Sequence, residues 1–356
     1  MQRIAILGAG AMGTALTTPL SQNGHEVRLW GTELDVALLA ELRAGRPHPR
    51  LGVPVVPSVQ LYDPENLAQA LADATVVVLA ITSDGIISIL RRAIPYLRPG
   101  NPLMMVTKGF GYDADQHVQL IPPLLYNELP SELKETSPIV AVGGPCKANE
   151  IAAGWPTATV YGSNDAHAVA ACQRIFQTSA YRIQTTDDVI GLEVAAALKN
   201  AYAITLGICN GLELAQEHPW HDLKAASFPQ AVKEMVQFAQ AIGGRSETIY
   251  GLPGVGDLEV TALSGRNRVL GERLGRGETI TDALEAMRKA EQTVEGVAAA
   301  RFAVEYVEYL AQQGKLTLAD FPLLSALNKM LAGDMNLIEL LSEAVLPALA
   351  PHTSNE

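Results

Sequence analysis

The feature that most restricts this chain lies at its start, where Arg3-Ile-Ala-Ile-Leu7 runs directly into Gly8-Ala-Gly10-Ala-Met-Gly13 and then a stretch of small residues to Asn23. A short apolar run reads as a buried strand, a glycine cluster as a tight turn, and the small-residue stretch as a helix. Gly24 stops that helix, and Glu26 to Trp30 supplies a second strand, completing a unit of about thirty residues with a right-handed crossover. In such a unit Gly8 makes the turn, Gly10 admits a pyrophosphate and Gly13 lets helix and strand pack. Ala11 and Met12 belong to the same loop. The expectation is a dinucleotide-binding site.

Strand-like runs recur at Thr75 to Ile81, Leu103 to Thr107, Ile139 to Gly143, Thr157 to Tyr161 and Tyr181 to Thr185. From Asp188 onward the apolar period becomes helical, over Val189 to Leu214, Lys224 to Ile242, Asp257 to Leu263, Val269 to Leu274, Thr281 to Lys289 and Val297 to Gln313. The predicted class is α/β: an N-terminal Rossmann-type doubly wound parallel sheet over 1–187 and an all-α C-terminal domain over 188–356. Thr185-Thr-Asp-Asp188 marks the change as a helix N-cap cluster, and Pro351 to Glu356 reads as a frayed tail.

Composition removes several classes of function. A formal charge of −12 repels nucleic acid and anionic membrane at long range, so an anionic ligand must meet a local basic site. No uninterrupted apolar stretch suggests membrane insertion. Cys146, Cys172 and Cys209 are odd in number and lack metal-ligand spacing, which fits a reducing compartment. Met1-Gln2-Arg3 leads straight into a strand without a leader pattern, so the expected location is cytoplasmic. No His, Asp and Glu cluster with ligand spacing stands out, and no metal is expected.

Charged residues at strand and helix ends carry the chemistry. Glu33, about twenty residues past the glycines, is placed for a ribose hydroxyl and reads equally as a solvated acid at a helix start. Arg28, Thr32 or a residue from another loop is an alternative contact for a 2′-phosphate, so NAD and NADP both stay open. Lys108 in Val106-Thr-Lys-Gly-Phe110 follows a buried strand, at the end where doubly wound sheets bind ligands. Gly143-Gly-Pro-Cys-Lys-Ala-Asn-Glu150 presents backbone amides in a turn. Lys199 sits in Glu193-Val-Ala-Ala-Ala-Leu-Lys-Asn200 beside Ala195, Ala196, Tyr202 and Ala203, apolar surroundings that lower an ammonium's pKa toward proton transfer. Asp257 in Gly254-Val-Gly256-Asp257 stands at a helix start, where capping alone is sufficient reason for an acid. Gly265-Arg266-Asn267-Arg268 pairs cationic side chains with helix-start amides, a phosphate site in an acidic chain.

In this order the segments resemble those of the NAD(P)-dependent sn-glycerol-3-phosphate dehydrogenase family, and the likeness runs from Gly8 to Glu295. The resemblance implies that Lys108 contacts substrate and cofactor, and that Lys199, in the ALKN motif with Asn200, donates and accepts the proton. It implies that Asp257 is catalytic, that Arg266 and Asn267 after Gly265 hold substrate phosphate and cofactor, with Thr261 beside them, and that Glu295 in Val-Glu-Gly contacts cofactor. Gly144, Cys146 and Ala148 fall at the family's GPxxA turn. There the family usually carries Ser or Asn at position 146 and an apolar residue at 147, so Cys146 and Lys147 are departures that bear on substrate choice.

The reaction so implied is reversible hydride transfer between NAD(P)H and dihydroxyacetone phosphate. Asp257 is expected to orient Lys199 or a substrate hydroxyl. The expected partners are a small phosphorylated substrate and, through the helical domain, a second copy of the chain. Two alternatives remain: a dehydrogenase for another phosphorylated or hydroxyacid substrate, and a non-catalytic NAD(P) sensor.

Overall fold

The computed structural model describes residues 1–290 and 292–347; the tail read at Pro351 to Glu356 lies outside them. Its strands are β1 (Arg3–Leu7), β2 (Glu26–Trp30), β3 (Gln60–Tyr62), β4 (Val76–Leu79), β5 (Leu103–Met105), β6 (Phe110–Tyr112), β7 (Val118–Leu120), β8 (Ile139–Gly143), β9 (Thr157–Gly162) and β10 (Tyr181–Thr186). All but β6 and β7 form an eight-stranded sheet in the order β10-β9-β8-β5-β4-β1-β2-β3. The run from β3 to β8 is parallel, with the reversal of order beside β1 that opens a ligand crevice at the strand ends.

Alternate strand residues enter opposite faces of this sheet. Ile4, Ile6, Val78 and Met104 join one apolar cluster with Leu16, while Ala5, Leu7, Leu79 and Met105 join another with Ile86. Both faces are covered, which is why these strands read as continuous apolar runs instead of alternating ones.

The sheet is not parallel throughout, because β9 runs antiparallel to β8 and carries β10 with it. Between β8 and β9 the only helix is Ala148–Ala152, 5 residues long. At about 1.5 Å per residue it is too short to carry the chain back along a strand, so the next strand starts from the same end and runs the other way. The hairpin of β6 and β7 and the edge strand β3 carry too few residues, 3 each, for a periodic signal. Helices Pro322–Leu331 and Leu337–Val345 extend the helical half beyond the segments read from the sequence.

Strand gives way to helix after β10, where Asp188 Oδ1 accepts the Gly191 N–H at 2.9 Å at the start of helix Val189–Gln216. Compactness divides the chain elsewhere. Residues 1–197 with 242–257 form one unit, and residues 198–241 with 258–356 the other. The first turns of helix Val189–Gln216 join the sheet unit because Leu192 packs against Gly143 and Gly162, where a Cβ would come within 2.6 and 2.7 Å of it. This helix is long and apolar enough to cross a membrane, yet 89% of its apolar window is buried inside the protein.

In the helical unit, helices Val189–Gln216 and Arg266–Gly275 approach through facing glycines. A Cβ on Gly207 would meet the Arg268 carbonyl oxygen at 2.2 Å, and one on Gly271 would meet that of Ile204 at 2.0 Å. A few residues away, Glu234 is fully buried with both oxygens satisfied: Tyr202 Oη and Gln230 Nε2 donate at 2.8 Å, and the Leu323 and Leu324 amides at 2.7 and 2.9 Å. Its two oxygens thereby cap the first turn of helix Pro322–Leu331 by accepting amide N–H groups that have no partner within the helix.

Candidate active site

The glycine loop follows β1 as expected, and each glycine has a distinct physical reason. Gly8 has φ +113°, and a Cβ there would meet the Ala80 carbonyl oxygen at 2.4 Å. A Cβ on Gly13 would meet the Gly8 carbonyl oxygen at 2.1 Å, so only glycine lets the helix pack so closely. A Cβ on Gly10 would meet nothing within 4 Å. That open space lies at the N-terminus of helix Ala11–Gln22, whose N-cap Gly10 offers no side-chain cap. Amides of the first turn and an open cradle fit the pyrophosphate of a dinucleotide.

At the end of β2, Glu33 forms an ion pair with Arg92 from helix Ser83–Ala93, Oε1 to Nη2 at 3.0 Å. That hydrogen bond holds the Glu33 carboxyl below the usual carboxylate range. Of the alternative contacts read from the sequence, Arg28 and Thr32 are otherwise engaged. Arg28 is buried, paired with Glu26 at 2.8 Å and donating to the carbonyls of Gln69 and Ala72. Thr32 gives both its amide and its hydroxyl to Asp35 at 2.8 Å.

Lys108 lies beyond β5, next to Gly109 at φ +130°, and its Nζ pairs with Asp257 Oδ2 at 2.8 Å. The Asp257 side chain that receives it is 2% exposed. The π-helical turn Leu252–Gly256 delivers it there, with a Cβ on Gly254 excluded by the Ile249 carbonyl oxygen at 2.0 Å.

Sequence reasoning passed over Glu193, although it opens the motif that contains Lys199. It is fully buried, and among the described residues neither carboxyl oxygen has a hydrogen-bond partner. Burial pushes its carboxyl up to about 8, with the charge of Lys108 acting in the opposite direction. Near pH 7 it is therefore mostly a neutral acid. Its ordinary value is 4.5, so the folded chain holds an extra proton between 4.5 and about 8. The stability this proton contributes is complete below 4.5 and is lost as pH rises through about 8. Glu193→Gln, which keeps shape without charge, is expected to remove that loss, up to about 1.4 kcal/mol per pH unit inside the window. Melting temperatures of the two proteins between pH 5 and 9 check this; parallel curves would refute it.

At the GPxxA turn, Gly144 has φ +99° and its carbonyl accepts the Cys146 amide at 2.8 Å. The Cys146 thiol points into the sheet core, 7% exposed, with the Thr159 hydroxyl 3.5 Å away. Lys147 lies 3.8 Å from Glu150, and Ala148 starts the short helix packed on the core.

The second group of predicted residues assembles within the helical unit. Lys199 is 7% exposed, and its Nζ donates to Thr261 Oγ1 at 3.1 Å. Asn200 Nδ2 reaches Glu295 Oε2 at 3.4 Å, and Asn267 Nδ2 reaches Asn200 Oδ1 at 3.1 Å. Asn267 Oδ1 accepts the Gly296 amide at 2.8 Å, and Arg266 Nη2 pairs with Glu295 Oε1 at 3.2 Å. Gly265 is the N-cap of helix Arg266–Gly275 and supplies no side-chain cap, so that helix start presents amides beside the Arg266 guanidinium. A Cβ on Gly296 would strike the Asn200 carbonyl oxygen at 2.3 Å, which is why glycine must follow Glu295.

One cluster has a spacing that the sequence reading missed. Asp113, Asp115 and His117, in the turn between β6 and β7, bring donor atoms within 4.8 Å of one another. The Asp113 carboxylate accepts the Asp115 and His117 amides at 3.0 and 2.9 Å, the ordinary bonding of an Asx turn.

Comparison with known proteins matches residues 3–169 to the family described as NAD-dependent glycerol-3-phosphate dehydrogenase N-terminus and residues 188–342 to the corresponding C-terminus. The NADP(+)-dependent glycerol-3-phosphate dehydrogenase of Archaeoglobus fulgidus is 39% identical over 82% of this chain and 86% of its own. The glycerol-3-phosphate dehydrogenase [NAD(P)+] of Fusobacterium nucleatum is 30% identical over 97% of each chain. Among solved structures, glycerol-3-phosphate dehydrogenase from Coxiella burnetii superposes with a TM-score of 0.78 at 29% identity, covering 96% of this chain and 97% of that one.

Proposed function

Because this chain belongs to the NAD-dependent glycerol-3-phosphate dehydrogenase family, we propose that its two residue groups divide the reaction's work, the glycine loop holding cofactor and the Lys199 cluster handling substrate. The chain is an NAD(P)-dependent oxidoreductase that interconverts dihydroxyacetone phosphate and sn-glycerol 3-phosphate. The observation carrying the division of roles is that the helical unit holds Lys199 on Thr261 and, from the next residue, Asn200, joins Asn267, Glu295 and Arg266 in a polar group.

The nicotinamide cofactor, when bound, supplies a hydride to the ketone carbon or takes one from the alcohol. Gly8, Gly10 and Gly13, with the amides of Ala11 and Met12, hold its pyrophosphate. Lys199 gives a proton to the carbonyl oxygen as the carbon is reduced, so that a neutral hydroxyl is formed instead of a free alkoxide. Thr261 fixes the ammonium's direction through its hydroxyl. Lys108, held by Asp257, stabilises negative charge developing on the substrate oxygen. Arg266 and the amides opening its helix take the phosphate, with Asn267 as a second polar contact. Oxidation runs the same transfers backward.

The enzyme works in the cytoplasm as a homodimer. The location is supported by three buried free cysteines and the acidic charge of −12, and the dimer by the prevalence of twofold assemblies among enzymes. Burial of helix Val189–Gln216 supports a protein that does not insert into a membrane.

The deciding assay is NADH and NADPH oxidation with dihydroxyacetone phosphate, beside unphosphorylated dihydroxyacetone and a ketopantoate-type acid. Turnover confined to the phosphate ester supports these roles. An inactive protein that still binds NADPH would overturn them. Light scattering of the purified protein tests the dimer.

A further inference from the structure

The end of β2 carries a charge arrangement that the reaction as described does not use. Arg92 comes from helix Ser83–Ala93, far from β2 in sequence, and it grips the Glu33 carboxylate with two nitrogens, Nη1 to Oε2 at 3.1 Å and Nη2 to Oε1 at 3.0 Å. Its guanidinium carbon also lies 5.2 Å from the centre of the Trp30 ring, the last residue of β2. Two contacts on β2 and the loop after it therefore fix where this cation sits. Its side chain is 37% exposed and that of Glu33 is 64% exposed, so the pair is open to a ligand from solvent.

We propose that Arg92 is the ligand of a 2′-phosphate on the adenosine ribose, and that Glu33 is the acid with which that phosphate competes for the guanidinium. The inference deepens the cofactor reading above and rests on the glycine loop holding the dinucleotide. A doubly wound sheet places the adenosine ribose at the end of its second strand, where these residues stand. Arg28, the cation within β2 itself, is buried and spent on Glu26 and the carbonyls of Gln69, Ala70 and Ala72. Thr32 is spent on Asp35. Of these three, Arg92 has the fork geometry and the exposure, and what it must release is one exposed carboxylate.

The exchange is chemically even-handed, and that is its consequence for specificity. A phosphate monoester carries close to two negative charges at neutral pH and three acceptor oxygens, so it outcompetes one carboxylate for a guanidinium. Glu33 then faces the phosphate as a like charge and limits the gain. With NAD, Glu33 stays on Arg92 and its outer lone pairs take the ribose hydroxyls. The pair thus admits both cofactors, and each partner biases the choice in an opposite direction.

The test uses the full-length protein with two nucleotides, 2′,5′-ADP and 5′-ADP, measured by titration calorimetry, together with kcat/KM for NADPH and NADH. Arg92→Ala, and Arg92→Gln, which keeps the stem over Trp30, are expected to weaken 2′,5′-ADP about 10- to 100-fold while 5′-ADP changes less than about threefold. The NADPH and NADH rate constants should divide in the same way. Glu33→Gln should tighten 2′,5′-ADP and leave 5′-ADP unchanged or weaker. Equal losses for both nucleotides in both Arg92 variants would make Arg92 a structural residue and overturn the proposal, as would no loss for either. A wild type that binds neither nucleotide would instead remove the cofactor reading on which the proposal rests.

Discussion

Lys199→Met lowers kcat for dihydroxyacetone phosphate reduction by about 10²- to 10⁴-fold, the range that a lost general acid accounts for, with cofactor affinity unchanged. The expectation rests on where this lysine is. A long cationic side chain is rarely buried, yet Lys199 is 7% exposed on a helix whose neighbouring Ala195, Ala196, Tyr202 and Ala203 are all fully buried. The nearby phenol cannot substitute, because Tyr202 Oη is committed to Glu234 at 2.8 Å and burial pushes it well above its ordinary range. Methionine keeps the stem's length and volume and removes the ammonium, so the helix and its packing survive. Steady-state kinetics with NADPH fluorescence titration separates chemistry from binding. A loss of less than about tenfold in kcat would remove Lys199 from proton transfer.

Arg266→Ala is expected to raise KM for dihydroxyacetone phosphate by about 10- to 100-fold, with a smaller effect on kcat. The guanidinium opens helix Arg266–Gly275 and pairs with Glu295 at 3.2 Å, both side chains partly exposed. It is thus held by a partner that an incoming phosphate can displace, beside amides that add their own donors. Removing it leaves Glu295 as an uncompensated negative charge near the phosphate, which adds to the loss. Unphosphorylated dihydroxyacetone is the control, since its turnover, however slow, should not respond to this substitution. Equal losses on both compounds would show that Arg266 supports the fold of the cluster and not the phosphate.

How much of this was legible beforehand follows from the range of the interactions. The first strand, glycine turn and helix are local, and periodicity over a dozen residues sufficed to place them. The buried runs at Val76, Leu103 and Ile139 were legible because a sheet covered on both faces demands apolar residues at every position. The edge strand Gln60–Tyr62 was not, since it is short and its residues are partly exposed. The direction of β9 depended on the length of the connection before it, which a reading of strand-like segments ignores.

The site divides in the same way. Asn200, Arg266, Asn267 and Glu295 were named from motifs, and the structure brings them into one cluster, with Lys199 held on Thr261. The Cys146 turn was legible from its glycines and proline, but the direction of the thiol was not, because that is set by what packs on it, here the sheet core. Arg28 was lost as a candidate for the same reason.

Sequence by itself determined the strand-turn-helix start, the change from strands to helices near residue 188, and which residue types stand ready for proton transfer and phosphate binding. Those properties follow from dihedral preferences, apolar periods and side-chain chemistry, all contained within a few consecutive residues. Only the tertiary structure decided that Asp257 meets Lys108 across 149 positions, that burial raises the Glu193 carboxyl to about 8 and that Arg92 stands at Glu33. Charge, protonation and hydrogen-bond partnership depend on the dielectric and the neighbours in space, and those exist only once distant segments have packed.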